Sequence, residues 1–142
     1  MPDPIASRVH HIGIAVADLD AAEEIVRDKL GFRLVRRHDA AETRGVRAAF
    51  YDAGNVEIEL LWHADPEENR SWLGGAAQAR VEHIALDVPD LENAMAALRA
   101  LGVELAPARP GPIGDSARTV PETSGGITYQ ILQFEETAPP GQ

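Results

Sequence analysis

The strongest constraint on this chain is an internal duplication. Val9-His10-His11-Ile12-Gly13-Ile14-Ala15-Val16-Ala17-Asp18-Leu19-Asp20 aligns with Val81-Glu82-His83-Ile84-Ala85-Leu86-Asp87-Val88-Pro89-Asp90-Leu91-Glu92. His11 falls on His83, 72 positions later, and Asp18-Leu19 falls on Asp90-Leu91. Further along, Leu30-Gly31-Phe32 matches Leu101-Gly102-Val103, and Gly54-Asn55-Val56-Glu57-Ile58-Glu59-Leu60-Leu61 matches Gly125-Gly126-Ile127-Thr128-Tyr129-Gln130-Ile131-Leu132, both at an offset of 71. Matches in one order at both ends of each half mark two copies of one supersecondary unit. The change of offset is expected in a loop, where one extra residue costs little entropy.

Each copy reads as β-α-β-β-β. Val9 to Val16 alternates, with Ile12, Ile14 and Val16 on one face and His11, Gly13 and Ala15 on the other. Asp18 suits a helix N-cap, and Leu19, Ala22, Val26 and Leu30 follow at helical spacing to a stop at Gly31. Phe32 to Arg37 predicts a second strand. Val46 to Asp52 and Val56 to Trp62 predict a hairpin turning at Ala53-Gly54-Asn55. The second copy predicts a strand over Val81–Val88, a helix capped by Asp90, a strand over Val103–Ala106 and a hairpin ending in Ile127–Phe134. The modules are set at 8–63 and 80–135, together one domain over 8–135. Their linker carries the turn signals Asp65-Pro66 and Gly74-Gly75. The ends, at Pro2-Asp3-Pro4 and Ala138 to Gln142, read as loose tails. The fold class is α+β, with a length of 142 residues suited to one compact domain or two fused modules.

Composition removes several functions. Without cysteine there is no disulfide, thiolate metal site or cysteine nucleophile. A formal charge of −10 argues against a general binder of nucleic acid or anionic membrane. No apolar run approaches the roughly 20 residues of a membrane span, and no signal peptide is visible, so a cytoplasmic location is expected.

The duplication pairs His11 with His83 and Glu59 with Gln130. If the modules pack about a pseudo-twofold axis, these four side chains converge on it. Two imidazoles, a carboxylate and an amide oxygen suit a borderline or hard divalent ion, with octahedral Mn, Co, Fe, Ni or Mg favoured over closed tetrahedral zinc. Taken singly, a strand histidine is usually packed or exposed, and a glutamate alternating with aliphatics is usually solvated. Their repeat-related placement is what favours a site. His10, His38 and His63 fall outside the pattern and read as structural or exposed. Trp62 and Trp72 are candidates for a pocket wall or a subunit contact.

These segments, with Gly111-Pro112-Ile113-Gly114 and Thr123-Ser124-Gly125-Gly126-Ile127, resemble the vicinal-oxygen-chelate superfamily of glyoxalase, bleomycin-resistance and dioxygenase proteins. Within it, the chain is most similar to the methylmalonyl-CoA epimerases. The likeness spans roughly Val9 to Phe134. It implies paired βαβββ modules forming a cupped mixed sheet around one metal, with ligands on the first and last strands of each module. Those positions are His11, Glu59, His83 and Gln130. The family's usual fourth ligand is glutamate. Gln130 keeps an oxygen donor but removes a charge and any proton-transfer role, and some relatives carry glutamine at one ligand position.

The resemblance implies a metal-dependent epimerase or isomerase that abstracts a proton α to a thioester or carbonyl. A cation chelating two substrate oxygens would stabilise the developing enolate, with proton-transfer groups on both faces of the carbon. Glu42 is the nearest match to the family's non-ligand glutamate, one residue further from Gly45-Val46 than expected; its competing reading is a solvated loop acid. Glu59, or water on the metal, is a candidate for the second group. Arg44 and Arg47 are candidates to neutralise a substrate carboxylate or phosphate, with surface roles as the competing reading. Ser124 and Gly125 are candidates to bind a carboxylate or thioester, or simply to form a turn. The expected substrate is a small molecule, such as an acyl-CoA, and the expected assembly is a homodimer. Competing readings are a glyoxalase-like lyase, an iron(II) dioxygenase using His11, His83 and Glu59, and a metabolite- or drug-binding protein without catalysis.

Overall fold

The structure, a computed structural model, describes residues 3–135. The predicted tails at Pro2 and at Ala138 to Gln142 lie outside the described residues. The chain divides into two compact units: His11–His83, and the segment through His10 joined with the segment from Ile84 onward. The boundary falls inside the two histidine-bearing strands, β1 (Arg8–Val16) and β5 (Ala79–Asp87).

In the His11–His83 unit, β1 leads through α1 (Leu19–Glu23) to β2 (Arg33–Ala40), β3 (Val46–Asp52) and β4 (Glu57–His63). The strand order is β2-β3-β4-β1. β2·β3 and β3·β4 run antiparallel, while β4·β1 runs parallel. The helix covers one face, where Val16, Leu19, Val26, Ala49, Tyr51 and Leu60 form the core. In the other unit β7 (Tyr129–Phe134) pairs parallel to β5 and antiparallel to β6 (Gly114–Arg118). Helix α3 (Leu91–Ala100) packs a core of Val88, Leu91, Ala94, Met95, Ala117 and Ile131. The two cores use matching positions: Val16 and Val88, Leu19 and Leu91, Leu60 and Ile131. Among the described residues, parallel and antiparallel pairings with three α-helices make the fold α+β, as expected from the sequence.

The caps repeat too. Asp18 accepts from the Ala21 amide at 3.1 Å, and Asp90 accepts from the Asn93 amide at 2.9 Å. Between its cap and Leu30, however, the first helix holds one residue more than its counterpart. The structure absorbs it as a π-helical segment, Glu24–Lys29, closed by the Leu30 amide donating to the Ile25 carbonyl at 2.8 Å. The slipped residue expected in a loop is therefore a π insertion within a helix, the usual form of a single added helical residue.

The linker's turn signals bound a helix, α2 (Pro66–Leu73), capped by Asp65 and ended by Gly74 in the left-handed conformation. Asn69 fixes this helix by donating to the Val16 carbonyl and accepting from the His63 amide. The strand predicted over Val103–Ala106 is reduced to isolated bridges, Leu105 with Thr119 and Arg109 with Ser116. Pro107, Pro110 and Pro112 follow it and lack the N–H groups a ladder needs. Thr123–Gly126 lies in the turn that joins the antiparallel strands β6 and β7. The chain makes a 3-10 turn over Pro121–Thr123 and runs ten residues between β6 and β7.

Candidate metal centre

The centre is built on the sheet face opposite α1. Strand pairing places Phe50 opposite Glu59 on the antiparallel side and Gly13 beside Glu59 on the parallel side. Paired residues share a face, and alternation brings His11 onto it as well. Ile58 and Leu60 point the other way, toward the helix-covered core. His83 arrives on β5 and lays its ring over Gly13. A Cβ at position 13 would sit 2.1 Å from His83 Cε1, so glycine there is a steric requirement.

Three donor atoms consequently meet. His11 Nε2 and His83 Nε2 are 3.1 Å apart, and each lies 3.2 Å from Glu59 Oε1. All three residues are buried. A single proton between the imidazoles satisfies one edge of this triangle, whereas a cation satisfies all three corners. Donor atoms about 2.0–2.2 Å from a metal are roughly 3 Å apart around a tetrahedral or octahedral shell, matching these edges. His83 Nδ1 lies 2.8 Å from Glu82 Oε1. Donation from Nδ1–H to that carboxylate leaves the Nε2 lone pair facing the centre, the usual orienting contact of a metal-binding histidine. The residues therefore fit a divalent cation.

Burial alone would raise the Glu59 carboxyl. Hydrogen bonds with His11 and His83 and the charge of both rings outweigh it, holding the carboxyl at about 2. It is thus an anion at neutral pH, suited to ligation.

The remaining predicted residues have contacts of their own. Gln130, on β7, donates from Nε2 to Ser116 Oγ at 3.1 Å, and its Oε1 is buried without a hydrogen-bond partner among the described residues. Glu42 and Arg44 are exposed in the turn between β2 and β3. Arg47 pairs with Asp39 at 3.3 Å and lies over Trp62, on the helix side rather than the Glu59 side of the sheet. Ser124 is occupied within its own turn, donating to the Ile127 carbonyl at 2.7 Å and bonding Thr119 Oγ1 at 2.8 Å. Gly125 is exposed at φ +74°, which fits a turn role. His10 packs its ring on Phe134, while His63 accepts from the Asp65 amide and meets Trp72 edge-on. A groove of about 470 Å³ lies on the helix side of β1, lined by Ile14, Val16, Ala22, Ile25 and Leu60, away from the three donors.

One contact escaped the sequence reading. Glu82 occupies the place of His10 in the repeat, and only the structure shows it holding His83. His38, read as structural or exposed, packs edge-on against Phe50, with a buried Nε2 lacking a partner among the described residues.

Comparisons with known proteins agree with this fold. A curated relative, 2-epi-5-epi-valiolone epimerase from Actinomyces sp., is 28% identical and aligns with 96% of this chain and 84% of its own length. The crystal structure of methylmalonyl-CoA epimerase from Mycobacterium tuberculosis superposes with a TM-score of 0.82 at 27% identity, covering 96% of this chain and 93% of the other. A Streptomyces coelicolor methylmalonyl-CoA epimerase variant in complex with 2-nitronate-propionyl-CoA gives a TM-score of 0.76 at 28% identity, covering 89% and 96%. These relatives support an epimerase-like function. The profile of the Glyoxalase/Bleomycin resistance protein/Dioxygenase superfamily matches residues 10–120, and the chain belongs to that superfamily.

Proposed function

We propose that the protein is a metal-dependent epimerase that exchanges a proton on carbon adjacent to a thioester or ketone carbonyl. The observation that carries this reading is the buried triangle of His11, His83 and Glu59, three donors within 3.2 Å of one another. A divalent cation held there supplies Lewis-acid stabilisation for negative charge developing on the substrate carbonyl oxygen. The protein's part is positioning. Glu82 fixes the His83 ring, Gly13 leaves room for it, and Glu59 contributes a permanent negative charge. Gln130 is proposed as a fourth ligand on family likeness and on the repeat, which pairs it with Glu59. Glu42 is proposed as a proton-transfer group on family likeness. Its exposure requires the β2–β3 turn to approach the substrate. Arg44 is proposed to bind substrate from the same turn. A cytoplasmic homodimer completes the proposal, tested for assembly by light scattering against the 15.3 kDa chain mass.

The relatives' names supply the probes. The metal-loaded protein is incubated in heavy water with methylmalonyl-CoA and, separately, with 2-epi-5-epi-valiolone, beside His11→Ala and His83→Ala. Deuterium entry α to the carbonyl of either probe, abolished in both variants, is the expected outcome. Bound metal without exchange in either probe sinks the epimerase reading.

One other reading has its own observation. Two histidines and one carboxylate, grouped as His11, His83 and Glu59 are, form the donor set of non-haem iron(II) oxygenases. Oxygen uptake by the iron-loaded protein, with no proton exchange, would favour it.

A further inference from the structure

Strand β2 presents two nitrogen atoms to the metal-bearing face. Arg36 pairs with Phe50 in register, and Phe50 pairs with Glu59, so all three side chains share that face. His38 follows two residues after Arg36. Phe50 is the common platform: the Arg36 guanidinium lies 4.3 Å from its ring centroid, His38 packs on it at 5.7 Å, and His11 meets it at 5.1 Å. Arg36 Nε and His38 Nε2 are both buried, and neither has a hydrogen-bond partner among the described residues. Buried polar nitrogens without partners are costly, and a pair one ring away from His11 is explained if a ligand satisfies them.

Their charge state narrows the ligand. The Arg36 guanidinium is already ion-paired with Glu57. Burial, reinforced by the Arg36 charge and opposed by Glu59, holds the His38 imidazole below its ordinary range. The other cations of β2 and β3 are committed as well: Arg33 to Asp52, Arg37 to Glu23 and Arg47 to Asp39. A carboxylate brought against Arg36 and His38 would compete with Glu57 for the guanidinium and find no other spare cation on these two strands. A hydroxyl or keto oxygen can accept from Arg36 Nε–H and exchange a hydrogen bond with His38 Nε2 at no such cost.

We propose that Arg36 and His38 form a recognition subsite for neutral hydroxyl or keto oxygens, so that the substrate is a small polyhydroxylated ketone rather than a carboxylated acyl thioester. This rests on the epimerase reading of the centre, which it deepens by naming the substrate class.

The test is binding, measured apart from turnover. The metal-loaded protein is titrated by calorimetry with 2-epi-5-epi-valiolone and with methylmalonyl-CoA, alongside His38→Phe and Arg36→Lys. The first variant keeps a ring on Phe50 but removes the nitrogen; the second keeps a charge for Glu57 but removes Nε–H. The expected result is tighter binding of the cyclitol ketone by the parent. Each variant should lose about tenfold or more of that affinity, with metal content unchanged and methylmalonyl-CoA binding unaffected. The subsite is overturned if the ketone fails to bind the parent, if both variants bind it like the parent, or if methylmalonyl-CoA is the tighter probe. Deuterium exchange in the same samples reports the epimerase reading separately. Ketone binding that depends on His38 and Arg36 but brings no exchange would support the subsite and sink the chemistry. Exchange with variant-independent binding would do the reverse.

Discussion

At the scale of single residues, the centre depends on what lies beside the donors. Gly13 has no ligating group, yet the His83 ring occupies the place of its missing side chain. Gly13→Ala should therefore push the ring off the point shared with His11 Nε2 and Glu59 Oε1. We expect metal affinity to fall by about 10–100-fold, the range typical when a group orienting a ligand is lost. Metal titration against a chelator of known affinity measures this, and an unchanged affinity would mean that the ring has another place to go. The histidine pair was legible from the repeat, because His11 and His83 recur at the same place in it. The need for glycine at 13 was legible only as a small residue on the histidine face, since the ring that fills its space comes from 70 positions away.

At the scale of elements, α1 is tied to the sheet by one buried acid. Glu23 accepts from Tyr51 Oη at 2.7 Å on β3 and pairs with Arg37 Nη2 at 2.7 Å on β2. Burial would raise its carboxyl, but the hydrogen bonds from Arg37 and Tyr51 and the arginine charge hold it below its ordinary 4.5. With a folded value below the unfolded one, the ionised acid contributes stability in full above about 4.5, and that contribution is lost as pH falls through the lower folded value. Glu23→Gln should cost about 1–3 kcal/mol at neutral pH, where it strips a charged partner from Tyr51 and Arg37. The gap between parent and variant in urea unfolding should narrow as pH drops below 4.5. A pH-independent gap would assign the loss to packing instead. This contact could not be read from sequence: Glu23 stands at a core-facing helical position where its repeat counterpart is Met95. The π-helical segment is partly legible, since the change of offset announces an extra residue. Helical packing on the sheet, rather than residue type, decides that it is stored inside the helix.

At the scale of the whole molecule, a cation that binds only the folded state must stabilise it. Metal present at about a hundred times its dissociation constant adds about 2.7 kcal/mol. Chelation should then lower the thermal midpoint by several degrees, and the same treatment should leave the midpoint of His83→Ala unchanged. A chelator-insensitive parent would indicate that the triangle of donors holds no ion in solution. Among the described residues no helix is long and apolar enough to cross a membrane.

By itself the sequence determined the duplication, the capped helices, the two alternating strand faces and the three donors that the structure gathers. Each is a local pattern, set by periodicity and capping chemistry, that survives any arrangement of the rest. Tertiary structure alone decided which polar atoms acquired partners. It gave His83 to Glu82, confined Ser124 to its own turn, put Arg47 on the helix side, and left Arg36 Nε and His38 Nε2 buried without a hydrogen-bond partner among the described residues. Those outcomes depend on strand register and on rings arriving from distant segments. A one-residue shift in register reverses every side chain of a strand, so composition and spacing cannot fix them.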